Sequence, residues 1–145
     1  MGYLEEHAWI GEHIALYRKD PAKAHDWQSF SGGIKPTLLL TTKGRKTGNQ
    51  IDSPLVYGKQ GSSFVIVGSK GGDPEHPSWY KNLLANPDAE IQVALDHYLV
   101  SARTATGDER DTLFAIMVEI LPHYATMGKA AAGSREIPVV VLDPR

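Results

Sequence analysis

The spacing of apolar and ring-bearing side chains predicts an amphipathic helix over residues 1–20. Such side chains recur every three or four residues, which places them on one face of an α-helix. They are Tyr3, His7, Ile10, Ile14 and Tyr17. Asp20-Pro21 predicts the end of the helix. Residues 21–36 are mixed in character and contain Gly32-Gly33, so we interpret them as a connector.

The next part of the chain has the composition of β-strands. Runs rich in β-branched and apolar residues span 37–42, 50–57 and 63–67, with glycine-containing turns between them. This order predicts a three-stranded antiparallel meander. Pro54 has no amide hydrogen to give to a neighbouring strand, so it predicts a sheet edge or a bulge.

The second half of the chain alternates between predicted helices and strands. Pro77 and Asn86-Pro87 delimit a short helix over 78–85. The remaining strands are predicted over 89–95, 98–104 and 137–142. Asp96-His97 is predicted to form the tight turn between the first two of these.

A longer helix is predicted from Thr106 to Leu121. Thr106 and Glu109 have the spacing of a capping box, and Pro122 with the Ala/Gly-rich stretch 125–133 predicts a break. Six strands without a helix after each one exclude a dinucleotide-type parallel sheet. The pattern therefore predicts a single mainly β domain with flanking helices (α+β), in which residues 37–142 form a small closed or split β-barrel.

Composition removes several classes of function. The 145 residues carry a net charge of -2, which argues against a polybasic nucleic-acid binder. The absence of cysteine excludes disulfides, thiolate nucleophiles and cysteine-bound metals. The first residues lack the pattern of a signal peptide and no apolar run has the length of a membrane span, so we expect a cytoplasmic protein.

Positive charge is concentrated in one third of the chain. Residues 31–70 contain six basic side chains and one acidic one, a local balance of +5, so the remainder carries -7. The densest part is Lys43-Gly-Arg-Lys-Thr-Gly48, which places three cations, a hydroxyl and two glycines in one predicted turn. Guanidinium, ammonium and backbone amide groups bind phosphate and carboxylate. The turn indicates an anion site, with a plain basic β-turn as the alternative.

A second glycine-rich segment, Gly68-Ser-Lys-Gly-Gly72, follows the third strand directly. Its amides and Lys70 suit another anion contact or a cradle for a flat ring, with a flexible connection as the alternative. Neither segment has the spacing of a Walker loop or of a dinucleotide fingerprint. The six histidines show no metal-binding spacing, so we expect no metal site.

Three aromatic residues could complete such a site. Trp79 and Tyr80 stand on the short helix after the glycine-rich segment, where they can flank a planar cofactor. Tyr124 can donate a hydrogen bond to a substrate. A place in the core is the alternative for all three.

Several of these motifs together resemble one family. They are Gly44-Arg-Lys-Thr-Gly48, Pro54-Leu55, Gly68-Ser-Lys-Gly71, Pro77-Ser-Trp-Tyr-Lys-Asn-Leu83, Asn86-Pro87 and Ile137-Pro-Val139. From Thr37 onward, their order and spacing resemble the deazaflavin (coenzyme F420)-dependent nitroreductases and quinone reductases of actinobacteria. The resemblance implies a six-stranded antiparallel split β-barrel, FMN-binding-like, that binds reduced coenzyme F420.

The resemblance also implies roles for individual residues. Contacts to the acidic phosphate and glutamyl tail of the coenzyme are implied for Lys43, Arg45, Lys46, Thr47 and Gly48. Walls around the deazaflavin ring are implied for Ile51, Pro54, Leu55, Val56, Val67, Gly68, Ser69, Lys70, Ser78, Trp79, Tyr80 and Asn82. Ser78 and Tyr124 are the predicted catalytic hydroxyls. The resemblance places Tyr124 near the substrate-side tyrosine of the family.

We therefore predict an oxidoreductase that transfers a hydride from reduced F420 to an electron-poor small molecule, such as a quinone, an enone or a nitro compound. The alternative is a non-catalytic protein that binds or carries F420, FMN or haem. The helix over 1–20 is expected to pack on the barrel, while a lid over the acceptor and a contact with the inner face of a membrane stay open. We expect a monomer or a homodimer.

Overall fold

Eight strands and five α-helices are present in the part of the chain that the computed structural model describes, residues 8–28 and 33–145. The helices are α1 (Trp9–Lys19), α2 (Pro21–His25), α3 (Ser78–Ala85), α4 (Gly107–Ile120) and α5 (His123–Ala131), with a 3-10 turn over Lys70–Gly72. The strands are β1 (Asp26–Gln28), β2 (Ile34–Lys43), β3 (Gln50–Val56), β4 (Gly58–Gln60), β5 (Ser63–Val67), β6 (Asp88–Val93), β7 (Asp96–Thr104) and β8 (Val139–Pro144).

The strands form one antiparallel sheet in the order β1-β2-β6-β7-β8-β5-β4, and β3 pairs with β2. Only Tyr57 separates β3 from β4, and its amide donates to the Pro36 carbonyl at 3.2 Å. The chain therefore passes from one end of the sheet to the other at this bend, and the sheet curls into a half-barrel. The predicted class, mainly antiparallel β with flanking helices, is confirmed.

Two buried clusters stabilise this architecture from the two faces of the sheet. The inner cluster consists of Leu38, Leu40, Phe64, Ile66, Trp79, Tyr80, Leu83, Ala89, Ile91, Val100, Val140 and Leu142. The outer cluster, between the sheet and the helices α4 and α5, includes Val65, Val67, Val139, Val141, Leu113, Met117 and Tyr124. Successive residues of β5 and β8 alternate between the clusters, as the two-residue period of a strand requires. Each buried Leu or Ile contributes roughly 1.5–3 kcal/mol.

The predicted three-stranded meander is wrong in its third strand. β5 pairs with β4 and β8, and β3 pairs with β2. The predicted strand 50–57 corresponds to β3 and ends one residue earlier, at the bend at Tyr57, where Gly58 approaches α4 so closely that a Cβ would lie 2.7 Å from the Met117 sulfur. The two strands that were not predicted, β1 and β4, raise the strand count from the predicted six to eight. Pro54 lies in an edge strand, as predicted.

The predicted connector over 21–36 is wrong in most of its described residues. It contains α2, β1 and the first residues of β2. The Asp20 side chain starts α2 by accepting a hydrogen bond from the Lys23 amide at 3.2 Å. Residues 29–32, like Tyr3 and His7 of the predicted N-terminal stripe, lie outside the described residues.

The hairpin between β6 and β7 turns two residues earlier than predicted. Asp96 pairs with Val93, so the turn is formed by Ala94-Leu95 rather than by Asp96-His97. Ala94 has φ +52°, a left-handed conformation that a tight turn requires. The Gln92 side-chain amide donates to the Ala94 carbonyl at 3.1 Å and so supports this turn.

Three details of the C-terminal third also differ from the prediction. The predicted capping box is absent: Thr106 makes no side-chain cap, and Glu109 binds Arg103 with an oxygen–nitrogen distance of 2.6 Å. The predicted break at Pro122 is present, because α4 ends at Ile120, but residues 123–131 form a second helix that was not predicted, in which alanine favours the helix and Gly128 lies against Phe114. The final strand spans Val139–Pro144 rather than 137–142. The helix over 78–85, in contrast, has the predicted bounds.

Candidate functional site

A cationic hairpin, residues 43–48, connects β2 and β3. The Gly44 amide donates to the Asn49 carbonyl at 2.7 Å, and the Gly48 amide donates to the Gly44 carbonyl at 2.8 Å. Gly48 has φ +78°, which favours glycine. The side chains of the hairpin that can contact an anion are Lys43, Arg45, Lys46 and Thr47, and all are exposed. The hairpin therefore presents its positive charge to solvent.

Asn82 of α3 holds this hairpin in place. Its side chain is buried, and its Oδ1 accepts hydrogen bonds from Arg45 Nη1 at 2.9 Å and from the Arg45 amide at 3.2 Å. Its Nδ2 donates to Thr42 Oγ1 at 3.1 Å. The structure therefore brings together Arg45 and Asn82, for which the resemblance implied separate contacts with the tail and the ring of the coenzyme.

The predicted residues of β3 divide between the two faces of the sheet. Ile51 and Leu55 share the inward face with their partners on β2, and Ile51 is 40% exposed at the end where the hairpin lies. Pro54 and Val56 lie on the opposite face, where Leu39 packs beneath Tyr17 of α1. The side chains of Pro54 and Val56 therefore do not line the same surface as Ile51.

The glycine loop, residues 67–70, begins below the surface. The Val67 side chain belongs to the outer cluster. Gly68 has no room for a side chain, because a Cβ would lie 2.7 Å from Pro138 Cγ. Ser69 and Lys70 are partly exposed, and Lys70 has φ +44°. A ligand at this loop meets the backbone and the side chains of Ser69 and Lys70 rather than Val67.

The start of α3 combines one exposed hydroxyl with two buried aromatic rings. Ser78 is exposed, whereas Trp79 and Tyr80 belong to the inner cluster. The Tyr80 hydroxyl lies 2.9 Å from Thr104 Oγ1 on β7. The two rings are buried, so a ligand beside the start of α3 meets Ser78 rather than the rings.

Tyr124 lies on α5 with its ring buried in the outer cluster, which also contains Val67. Burial raises the pKa of the Tyr124 phenol, so this hydroxyl is protonated at neutral pH and can donate a hydrogen bond. Among the described residues, no hydrogen bond joins Tyr124 to Ser78. The two predicted catalytic hydroxyls are thus carried by separate helices.

The unpaired edges of β3 and β5 form a split in the wall of the half-barrel. β3 pairs with β2, and the residues Ile66 and Val67 of β5 extend beyond β4 and pair with β8. The cationic hairpin leads into the first residues of β3, and the glycine loop continues directly from the end of β5. Asn82 links α3 to that hairpin. The helix that begins with Ser78 is thus held against the hairpin, while the glycine loop continues from the edge of β5.

A separate concavity of about 230 Å³ lies between α3 and β7. It is lined by Tyr80, Leu83, Leu84, Pro87, Ala102, Arg103 and Thr104. Tyr80 is the one predicted site residue in this lining, and the cationic hairpin is not part of it. The split is therefore the better candidate for an acidic ligand.

Two further properties of the described residues bear on function. They contain no group of three or more His, Asp or Glu side chains arranged to hold a metal ion. None of their helices combines the length and the apolar character needed to cross a membrane.

Arg135, which was not among the predicted site residues, contacts the glycine loop. Its guanidinium donates to the carbonyl oxygens of Gly68, Ser69 and Asp73. Only one sequence signal was available, a basic residue just before the motif Ile137-Pro-Val139. That signal does not reveal a contact with a loop more than sixty residues away.

Comparisons with known proteins place the chain in a family. The family model for the F420H(2)-dependent quinone reductases matches residues 9–144. An F420H(2)-dependent quinone reductase of Mycobacterium tuberculosis is 42% identical over 115 residues, which are 78% of this chain and 76% of that protein. The chain belongs to the F420H(2)-dependent quinone reductase family, and the predicted resemblance is confirmed.

Solved structures agree with this assignment. An F420-H2 dependent reductase, FDR-A, is 37% identical with a TM-score of 0.68, and the match covers 74% of this chain and 94% of that one. A structure described as a domain-swapped dimer is 29% identical with a TM-score of 0.70, over 95% of this chain and 99% of that one. Both share the half-barrel fold with this protein.

Proposed function

We propose that this protein reduces a quinone with a hydride from reduced coenzyme F420, which binds along the split between β3 and β5. Membership in the family supports the reaction and the coenzyme. The observation that carries the placement is the link between Arg45 and Asn82, which fixes a cationic hairpin beside the split. The relatives in this family are named as reductases, which supports an enzyme over the alternative of a non-catalytic carrier.

The residues around the split suit the chemistry of F420. The phosphate and glutamyl tail of the coenzyme is acidic, and Lys43, Arg45 and Lys46 are exposed cations on one turn. Ile51 supplies exposed apolar surface on the inward face of β3, next to that turn. The backbone of the glycine loop offers amide donors on the other side of the split. The cations of the hairpin thus suit the acidic tail of the coenzyme, and Ile51 and the loop amides suit its ring.

The chain itself binds, orients and shields the reactants. When bound, the reduced coenzyme supplies the hydride. Ser78 and Tyr124 are proposed to hydrogen-bond the oxygen of the acceptor on which negative charge develops. Tyr124 can do so because burial raises the pKa of its phenol and keeps it protonated. The apolar side chains of the outer cluster hold the Tyr124 ring in place.

Tyr124→Phe tests the proposed catalytic hydroxyl. We expect kcat with saturating reduced F420 and menadione to fall by about 10- to 100-fold, because one donor to the developing charge is lost. Tyr98→Phe is the matched control, because Tyr98 lies on β7 and packs at the edge of the inner cluster, whereas Tyr124 belongs to the outer cluster. An unchanged kcat for Tyr124→Phe would exclude an essential role for the hydroxyl.

The reaction itself is tested by anaerobic turnover. Reduced F420 and menadione should give oxidised F420 at a rate proportional to protein concentration, and reduced FMN in place of reduced F420 should give no comparable turnover. An enone and a nitroaromatic compound, tested in the same way, define the range of acceptors. Failure to bind F420, or equal turnover with reduced FMN, would overturn the proposed function.

We propose further that the sheet is a six-stranded split barrel of the FMN-binding type. This count treats β3 and β4 as one bent strand, because only Tyr57 separates them, and leaves out the three-residue β1. A homodimer is supported by a related structure described as a domain-swapped dimer. Light scattering after size-exclusion chromatography distinguishes a homodimer from a monomer of 15.9 kDa.

A further inference from the structure

Arg135, between α5 and β8, holds the glycine loop from one side. Its Nη1 donates to the Gly68 carbonyl at 3.0 Å, its Nη2 to the Ser69 carbonyl at 2.9 Å and its Nε to the Asp73 carbonyl at 2.9 Å. One planar guanidinium thus connects the glycine loop to Asp73, which follows it. An ammonium group cannot reproduce this arrangement, because its donors radiate from a single atom.

These hydrogen bonds fix the direction of two backbone amides. No cis peptide bond occurs in the described chain, and in a trans peptide unit the C=O and the N–H point in opposite directions. The carbonyls of Gly68 and Ser69 point toward Arg135. The N–H groups of Ser69 and Lys70, which belong to the same two peptide units, therefore point to the other side of the loop.

The side of the loop that faces Arg135 is covered by protein. Gly72, just after the loop, lies against α5, where a Cβ would be 3.0 Å from the Ala130 Cβ and 3.2 Å from the Met127 carbonyl oxygen. The loop continues directly from β5, whose edge beyond β4 borders the split. The amides of Ser69 and Lys70 are directed away from Arg135, on the side of the loop opposite to this covered one.

His76 connects the same guanidinium to the start of α3. Arg135 Nη1 donates to His76 Nδ1 at 3.1 Å, so this nitrogen is an acceptor and the imidazole is neutral. Burial, and then the charges of Arg135 and Lys81, lower the pKa of His76. The His76 ring packs edge-on against Tyr80, with 4.9 Å between ring centroids.

We propose that Arg135 is a positioning residue for this reductase, which directs the amides of Ser69 and Lys70 into the split as hydrogen-bond donors to an oxygen atom of the coenzyme. This inference rests on the proposed function. It predicts that the guanidinium affects coenzyme binding through the loop, without contacting the coenzyme itself.

Coenzyme binding to Arg135 variants is the first test. Arg135→Ala should raise the Kd for F420 at least tenfold in a fluorescence titration, with a smaller change in kcat at saturating reduced F420. Arg135→Lys should recover part of the loss. Arg110→Ala is the matched control, because Arg110 also donates to a backbone carbonyl near β8, that of Ile137 at 2.8 Å, and should leave the Kd unchanged.

Two measurements on the ligand-free protein separate positioning from general destabilisation. Amide hydrogen exchange at Gly72 and Asp73, whose N–H groups donate to the Ser69 and Lys70 carbonyls, should become faster in Arg135→Ala and should not change in Arg110→Ala. The pKa of His76, followed by NMR, should rise toward the ordinary value of 6.5, because one of the charges that lowers it is gone. Neither result depends on turnover.

The outcomes distinguish this inference from the proposed function. Wild-type protein that does not bind F420 would overturn both. Wild-type protein that binds F420, together with Arg135→Ala of unchanged Kd or Arg110→Ala with an equal loss of affinity, would overturn this inference alone. If Arg135→Ala does not fold, Arg135→Lys decides, and wild-type Kd with wild-type exchange rates would overturn the inference.

Discussion

Replacement of Asn82 by alanine separates the hairpin from α3 without changing any charge. The variant removes an acceptor of two hydrogen bonds from Arg45 and a donor to Thr42. Thr42 is buried, so its hydroxyl loses a partner that water does not replace easily. Arg45 is exposed, so water can take over its donors.

The expected magnitude follows from these three bonds. A neutral hydrogen bond contributes about 1 kcal/mol net and a charge-assisted bond about 1.5–3 kcal/mol, which we reduce for the exposed guanidinium. We therefore expect the free energy of unfolding to fall by about 2 kcal/mol. An unfolding entropy of about 2.1 cal/mol/K per residue over 145 residues converts this to a Tm lower by roughly 7 °C.

Coenzyme binding should weaken in parallel, because Arg45 is no longer held beside the split. We expect a Kd for F420 about three to ten times higher, which corresponds to about 1 kcal/mol. In a double-mutant cycle, Arg45→Ala should cost less in the Asn82→Ala background than in the wild type, since the two residues act together.

Urea unfolding followed by circular dichroism measures the stability, and fluorescence titration measures the Kd. Asn86→Ala is the matched control, because Asn86 follows the same helix and accepts a hydrogen bond from the Asp88 amide at 3.1 Å. Equal Kd values for wild type and Asn82→Ala, or additive effects in the cycle, would refute the reasoning that Asn82 positions Arg45.

Two further predictions concern stability. Gly68→Ala should cost about 1–3 kcal/mol and lower the Tm, because its Cβ would lie 2.7 Å from Pro138 Cγ, whereas Gly11→Ala in α1 meets no neighbour within 4 Å. An unchanged Tm for Gly68→Ala would show that Pro138 moves aside. Burial lowers the pKa of His13, so the unfolded chain binds the proton more tightly and stability should fall as the pH decreases below 6.5. His13→Gln should flatten this dependence relative to the exposed control His97→Gln, and equal slopes would contradict the assignment.

Elements whose ends are marked by proline or asparagine were predictable from the sequence. The bounds of α3 follow from Pro77 and Asn86-Pro87, which act locally. The helix α5 was missed because glycine and proline were given more weight than the alanines, and because the contact of Gly128 with Phe114 is tertiary. The bend after β3 was missed for the same reason, since it depends on the approach of Gly58 to α4.

The same distinction applies to the candidate site. The cationic hairpin was predictable, because a run of charges between two glycines is a local feature. The opposite orientations of Ile51 and Pro54 follow from the strand period but require the register to be known. The contact of Arg135 with the glycine loop joins residues far apart in the chain, and a single sequence holds no signal for it.

The central claim is that the cationic hairpin holds the acidic tail of F420. It is tested most directly by the Kd for F420, measured at low and at high salt, in a triple variant of Lys43, Arg45 and Lys46 to glutamine. The control variant replaces the exposed lysines Lys19, Lys23 and Lys129 by glutamine. The account predicts a Kd about 50 times higher at low salt for the hairpin variant, from roughly 2–3 kcal/mol of lost attraction, and a weaker salt dependence. A hairpin variant whose Kd and salt dependence match those of the wild type and the control would contradict it.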